Sequence, residues 1–229
     1  MKFDIITIFP HIFDSYFNES IIKRAREKKL IQVKIWNLRD FAVGKHKSVD
    51  DSPFGGGPGM ALKIEPIIKA VQSLNSKIIF AKQIPGGSNK KSKIILFSAR
   101  GQQFDNKMAS RLAKNYERLI LICGRYEGVD ERVKKAIGDL GLEIQELSIG
   151  PYILTGGEVP AMVVVDAVSR HLPGVLGRRE SLEEIKGSYP VYTRPEVFEF
   201  RGRKYPVPKM LVRGDHEKIE RWRRSRGRS

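Results

Sequence analysis

Three segments of the sequence share one grammar: a short apolar run, then a loop of glycine and small residues. They are "KIILFSARG" (93–101), "RLILICGRYEGVDERV" (118–133) and "QELSIGPYILTGGEVP" (145–160). Near-continuous Ile and Leu are what strands buried on both faces require, and intervening stretches of helical period, such as "FDNKMASRLAKNY", make βα units. The prediction is an α/β fold with a mostly parallel sheet flanked by helices. Ligands of such sheets bind beyond the carboxyl ends of the strands, where all three loops fall. That crevice is the expected site.

The flanking segments extend this pattern. Residues 3–9 are β-branched and aromatic and stop at Pro10, as a buried strand would. Between 12 and 30, Ile12, Phe13, Tyr16, Phe17, Ile21, Ile22 and Ala25 recur at helical spacing, and "QVKIW" then alternates as a second strand. "PAMVVVDAVSRHLP" predicts a helix with Pro160 in its first turn, stopped at Pro173; Asp166 and Arg170, four residues apart, fit a surface ion pair. "GGSNKKSK" (86–93) is expected to be a solvated connection. Residues 177–190 lose apolar period and gain charge, which divides the chain into a domain over 1–176, a linker over 177–190 and a small, basic, mainly helical domain over 191–229.

Charge points to the partner. A net charge of +16 and a pI near 10.0 create a field that attracts polyanions, and "RGRKYPVPKMLVRG" and "RRSRGRS" concentrate it near the C-terminus. Nucleic acid is the leading partner. A single cysteine, Cys123, excludes an internal disulfide and a cysteine-rich zinc site, and His11, His46, His171 and His216 lack metal-ligand spacing, so no metal ligand is assigned. No stretch approaches about 18 consecutive apolar residues, and the N-terminus is unlike a signal peptide. A cytoplasmic protein without membrane association is expected.

"SVDDSPFGGGPGM" (48–60) looks at first like a phosphate cradle. It lacks the Gly-Lys-Ser/Thr end that such a loop needs, and Asp50 and Asp51 would repel a phosphate, so nucleotide hydrolysis is rejected.

At "DDSPFGGGPGM", "LICGRYEGVDERV", "SIGPYILTGGEVPAM", "DAVSRHLPGVLG" and "YPVYTRPEVF" the chain closely resembles the bacterial tRNA (guanine-N1)-methyltransferase family, among the trefoil-knotted SPOUT methyltransferases. The motifs keep their order over nearly the whole chain. The resemblance implies a C-terminal knot in the larger domain, which general folding rules would not suggest. It further implies a homodimer, with S-adenosyl-L-methionine as methyl donor and tRNA as substrate, methylated at N1 of guanine 37 beside the anticodon. A magnesium ion is an additional candidate.

Carried over residue by residue, the resemblance places Leu96, Phe97 and Ser98 of the first loop on the cofactor. Gly124, Tyr126 and Glu127 come from the second loop, and Ser148, Ile149, Gly150, Tyr152, Leu154, Gly156 and Gly157 from the third. Glycine there permits close backbone approach. Asp50, Asp51, Gly57, Arg125 and Arg194 are assigned to the substrate, the glycine-rich loop acting as a flap. Methylation needs a carboxylate to accept the N1 proton and a cation for charge developing on O6. Arg170 matches the family's cation.

The base is where the chain departs from the family. The usual linker aspartate has no counterpart in "SLEEIKGSYPVYTRP"; an ungapped alignment puts Ile185 there, and Glu184, or second Glu183, is the expected base. "FSA" stands for the familiar "LSP", and Pro151 replaces an aspartate in "IGPY". The chain closes soon after "IERWRR", where many relatives continue, so weaker and more salt-sensitive tRNA binding is expected. The alternatives are a knotted methyltransferase for another RNA nucleotide and an RNA-binding relative that has lost catalysis.

Overall fold

The computed structural model describes residues 1–83, 91–177, 188–212 and 214–226. Five strands, β1 (Lys2–Thr7), β2 (Gln32–Asn37), β5 (Lys91–Gln103), β6 (Tyr116–Ile122) and β7 (Ile144–Ser148), form one sheet in the order β2-β1-β6-β5-β7, with every neighbouring pair parallel. Parallel strands cannot be joined by hairpins, so helices cross between them. They are α1 (Asp14–Phe17), α2 (Ser20–Glu27), α3 (Ile64–Gln83), α4 (Asn106–Asn115) and α5 (Arg132–Asp139), while α6 (Glu158–Arg170) follows the last strand of the sheet.

The pleat sorts the apolar runs onto two faces. Phe3, Ile5, Ile95, Phe97, Leu119 and Leu121 point to the side packed by α1, α2, α4 and α6. Ile6, Ile94, Leu96, Ile120 and Ile122 point to the side packed by α3 and α5. Both sets are buried, which is why these strands read as unbroken hydrophobic runs. Local signals agree: the Asp105 side chain caps α4 by accepting from the Met108 amide at 2.7 Å.

The helix expected over 12–30 is instead a 3-10 turn (Pro10–Phe13) followed by α1 and α2. Glu19 is extended and Ser20 has φ 49°, so the chain turns between the two helices. Arg26 Nη1 covers the break, donating to Phe17 O and Asn18 Oδ1, each at 2.8 Å. Of the connection expected at 86–93, residues 91–93 already belong to β5, whose apolar pairing with β6 draws in the flanking lysines; 84–90 lie outside the described residues.

Chain contacts group into two compact units, Met1–Val175 and Leu176–Ser229. The second holds an antiparallel hairpin, β8 (Val197–Phe200) with β9 (Arg203–Pro206), then α7 (Lys209–Val212) and α8 (His216–Arg226). The expectation of a mainly helical unit missed the hairpin. Its signal was Arg201-Gly202 between two short runs: both residues have positive φ, 50° and 71°, as two-residue hairpin turns require. No described helix is long and apolar enough to cross a membrane.

Candidate active site

Each of the three loops leaves the carboxyl end of its strand and is tied to the next. β5 pairs with Leu147 twice, through Phe97 and again through Gln102, so the intervening residues leave the ladder and return to it. Gly101 makes that return possible: a Cβ there would lie 2.4 Å from Leu147 N. The Phe104 amide then donates to Ser148 O at 2.7 Å. The second loop meets the third where the Gly157 amide donates to Gly124 O at 2.9 Å and Arg125 bridges Gly156. A Cβ on Gly157 would sit 2.6 Å from Cys123 Cα, so the approach of the two backbones depends on glycine.

The loops enclose a cleft of about 320 Å³. Its walls include Leu96, Phe97 and Ser98; Gly124, Tyr126 and Glu127; and Ser148, Ile149, Gly150, Tyr152, Leu154, Gly156 and Gly157. The thirteen residues assigned to a cofactor from sequence therefore face one cavity. Arg125 joins them, with Arg100, Glu131, Glu146 and Pro160 among the residues not singled out beforehand. Glu131 and Glu146 both pair with Lys134, the latter at 3.4 Å.

Arg125 is held from three sides. Nε donates to Glu158 Oε2 at 2.9 Å, Nη1 donates to Thr155 O at 3.2 Å, and the guanidinium lies 4.6 Å from the Phe9 ring centroid. Glu158, only 1% exposed, also accepts from Thr7 Oγ1 at 2.7 Å, and Thr7 Oγ1 accepts from the Phe9 amide at 2.9 Å. One buried carboxylate thus joins the ends of β1 and β6 to the start of α6. Sequence reasoning missed it, because an acidic residue in a first helical turn ordinarily signals only the helix dipole.

The glycine-rich loop lies between β3 (Asp50–Asp51) and β4 (Ala61–Leu62), which pair as a short antiparallel ribbon. This ribbon is stitched to the second loop: the Glu127 amide donates to Met60 O and the Leu62 amide to Gly128 O, both at 3.0 Å. Asp50 accepts from the Tyr126 hydroxyl and raises its pKa. Tyr126 itself is held at φ 58°, an uncommon backbone state for a non-glycine residue. The Ser52 amide first, then Lys63 at 3.2 Å, holds the Asp51 carboxyl below its usual range. Gly57 stands in open space at φ 117°.

Asp50, Asp51, Gly57 and Arg170 do not line the cleft. Arg170 ends α6 and makes no ion pair with Asp166, whose carboxylate accepts instead from the Tyr16 hydroxyl. Arg194 belongs to the second unit. Glu183 and Glu184 lie outside the described residues. Among the described residues no three His, Cys, Asp or Glu side chains gather as a metal site.

A five-stranded parallel sheet with three linked loops closing a cleft at its carboxyl edge defines an α/β protein of the strand-end ligand-binding class. Residues 1–229 match the family described as tRNA (Guanine-1)-methyltransferase TrmD, and the chain belongs to that family. It is 50% identical to the tRNA (guanine-N(1)-)-methyltransferase of Dictyoglomus turgidum, 49% to that of Moorella thermoacetica and 48% to one from Dehalococcoides mccartyi. Each alignment covers 98% of this chain and 84% of the relative.

Proposed function

We propose that this protein transfers a methyl group from S-adenosyl-L-methionine to N1 of guanine 37 in tRNA, with the three-loop cleft as cofactor pocket. The observation that carries the reading is the convergence of the three strand-end loops on one cavity in a chain of this family. The cavity suits the cofactor: its volume falls within the roughly 300–1,000 Å³ usual for small-molecule sites. Phe97, Ile149 and Leu154 offer apolar walls, glycine backbone allows close approach, and Glu127 suits a cationic ligand. When bound, the cofactor supplies an electrophilic methyl group. A trefoil knot through these loops belongs to the same reading, supported by the return of β5 to Leu147 and the Gly157–Gly124 tie.

The chain's own residues have the remaining tasks. A linker carboxylate, Glu184 or second Glu183, accepts the proton that leaves guanine N1. Arg170 stabilises negative charge on O6. The second unit, with Arg194, grips tRNA, while Arg125 and the flap carrying Asp50, Asp51 and Gly57 border the substrate. Magnesium finds no ligand set among the described residues. The protein works in the cytoplasm, with its tRNA.

A homodimer belongs to this proposal. Phe9, Ile12, Tyr16, Val159 and Val163 are exposed on the 3-10 turn, α1 and α6, an apolar stripe suited to a second copy of the chain. Arg170 lies ten residues beyond Pro160 of the cleft wall, about 15 Å along the helix, and is not among the residues lining the cleft. In this reading Arg170 serves the cleft of the second copy.

The test is methyl transfer from labelled S-adenosyl-L-methionine to a tRNA transcript with guanine at position 37, beside the same transcript with adenine. Incorporation into the first alone is expected; incorporation into both or neither overturns the reading. Glu184→Gln should then lose methyl transfer without losing tRNA affinity, and a wild-type rate would remove Glu184 from its role.

A further inference from the structure

The second unit carries an aromatic face with no assigned role. In the β8–β9 register Phe198 opposes Tyr205 and Phe200 opposes Arg203, so these four side chains share one face of the hairpin. The three rings are 55%, 53% and 52% exposed, in the order Phe198, Phe200, Tyr205. Phe198 and Phe200 stand nearly parallel, 11° apart in plane with centroids separated by 6.4 Å, and Tyr205 lies 6.4 Å from Phe198. Such a surface costs free energy in water unless something covers it.

Charge selects the occupant. On the opposite face Glu199 pairs with Lys204 at 3.1 Å, so that side is neutralised. The aromatic face has no such balance. Arg201 lies over the Phe200 ring at 5.2 Å, Arg203 stands opposite Phe200, and neither has a carboxylate partner among the described residues. Flat rings interleaved with uncompensated guanidinium groups are complementary to unpaired nucleotides: bases stack on the rings while arginines meet phosphates. A protein partner of this basic unit would need acidic groups placed around its apolar patch; a single-stranded segment of RNA supplies planar apolar surface and negative charge in every residue.

We propose that the Phe198–Phe200–Tyr205 face of the hairpin stacks unpaired bases of the RNA substrate. The proposal rests on the tRNA reading above and adds to it a second contact surface, apart from the methyl-transfer cleft, that acts on affinity. Base–aromatic stacking tolerates any base, so this face adds grip without choosing the target guanine.

The experiment uses the full 229-residue protein and the guanine-37 transcript, with 2-aminopurine placed in turn at unpaired loop positions. Quenching of one probe by wild-type protein and its loss with Phe198→Ala/Phe200→Ala are expected. The tRNA KM should rise about ten-fold per ring removed, with kcat at saturating tRNA little changed. Phe200→Trp, which keeps a stacking surface, should hold wild-type affinity and so separates ring loss from damage to the hairpin. Unchanged KM and quenching in the double variant, with methyl transfer intact, would overturn the proposal while leaving the proposed function standing. A shift from dimer to monomer with tRNA affinity per folded chain unaltered would assign the face to a second copy, and would overturn it too. Absence of methyl transfer by wild type, with tRNA binding still lost on removing the rings, would instead count against the function and in favour of this face.

Discussion

Glu158 Oε2 and Arg125 Nε meet at 2.9 Å inside the fold, joining the start of α6 to the loop after β6. With Thr7 Oγ1 donating to the other carboxylate oxygen, Glu158 satisfies two groups that packing has removed from water. Glu158→Ala leaves Arg125 charged, mostly buried and unpaired, a class of change costing roughly 3–5 kcal/mol. A urea titration should show the midpoint fall accordingly, and Glu158→Gln, which keeps an acceptor for Thr7, should fall less. An unchanged midpoint in the alanine variant would mean the pair carries no stability.

Two glycines of the cleft predict opposite outcomes. An alanine Cβ at 157 would press on Cys123 Cα at 2.6 Å and Gly124 N at 3.0 Å, both backbone, whereas at 124 the nearest atoms lie at an ordinary 3.5 Å. Calorimetry should find S-adenosyl-L-methionine binding weakened more than ten-fold by Gly157→Ala, on the order of the 1–3 kcal/mol that overpacking costs. Gly124→Ala should bind better than Gly157→Ala; the reverse order would show that the loops do not close as described.

Partial loss of water around the half-exposed Tyr16 side chain first, and then the hydrogen bond and charge of Asp166, push its hydroxyl up to about 12. The fold therefore favours the neutral phenol: its contribution is complete below the ordinary value of 10.0 and is lost as pH rises toward about 12. Tyrosinate absorbance should show a late-titrating group that Tyr16→Phe removes. Asp166→Asn should lower it without restoring the ordinary value, because the partial desolvation remains.

The proposal that Arg170 serves the cleft of a second copy makes mixed dimers informative. Arg170→Ala alone should lower kcat by about 10²–10³, the usual effect of removing a donor from a developing oxyanion. Mixing it with the Gly157→Ala chain should restore activity above either homodimer, since one of the two sites then combines an intact cleft with an intact arginine. No recovery on subunit exchange would place the arginine and cleft in the same chain.

With a net charge of +16, tRNA affinity should fall linearly with salt on logarithmic axes as phosphate-bound counterions are released. Filter binding between 50 and 200 mM salt should show a loss of about 10³ or more if six or more phosphates are contacted. A flat response would exclude phosphate contacts as the source of affinity.

Much of the fold was legible because both faces of the sheet are covered. The unbroken apolar runs in 94–97 and 119–123 could be satisfied only by strands with helices on either side. Glycine at 150, 156 and 157 marked close approach, whereas Gly124 has ordinary room around it. The hairpin at 197–206 escaped notice because its strands are exposed and bury no periodic face, leaving Arg201-Gly202 as the one signal. The break at 18–20 was hidden because apolar spacing continued across it, while the Arg26 contact that covers the turn comes from a later helix.

The sequence by itself determined the parallel α/β class, the strand-end position of the site and the polyanionic character of the partner, since burial pattern, glycine placement and net charge are properties of residues in order. Only the tertiary structure decided that Glu158 clamps Arg125, that Tyr126 meets Asp50 across the flap, and that Arg170 is not part of the cleft wall. These are relations between segments remote in sequence: a carboxylate in a helical turn looks the same whether it faces water or a buried guanidinium, and only folding sets which of the two surrounds it.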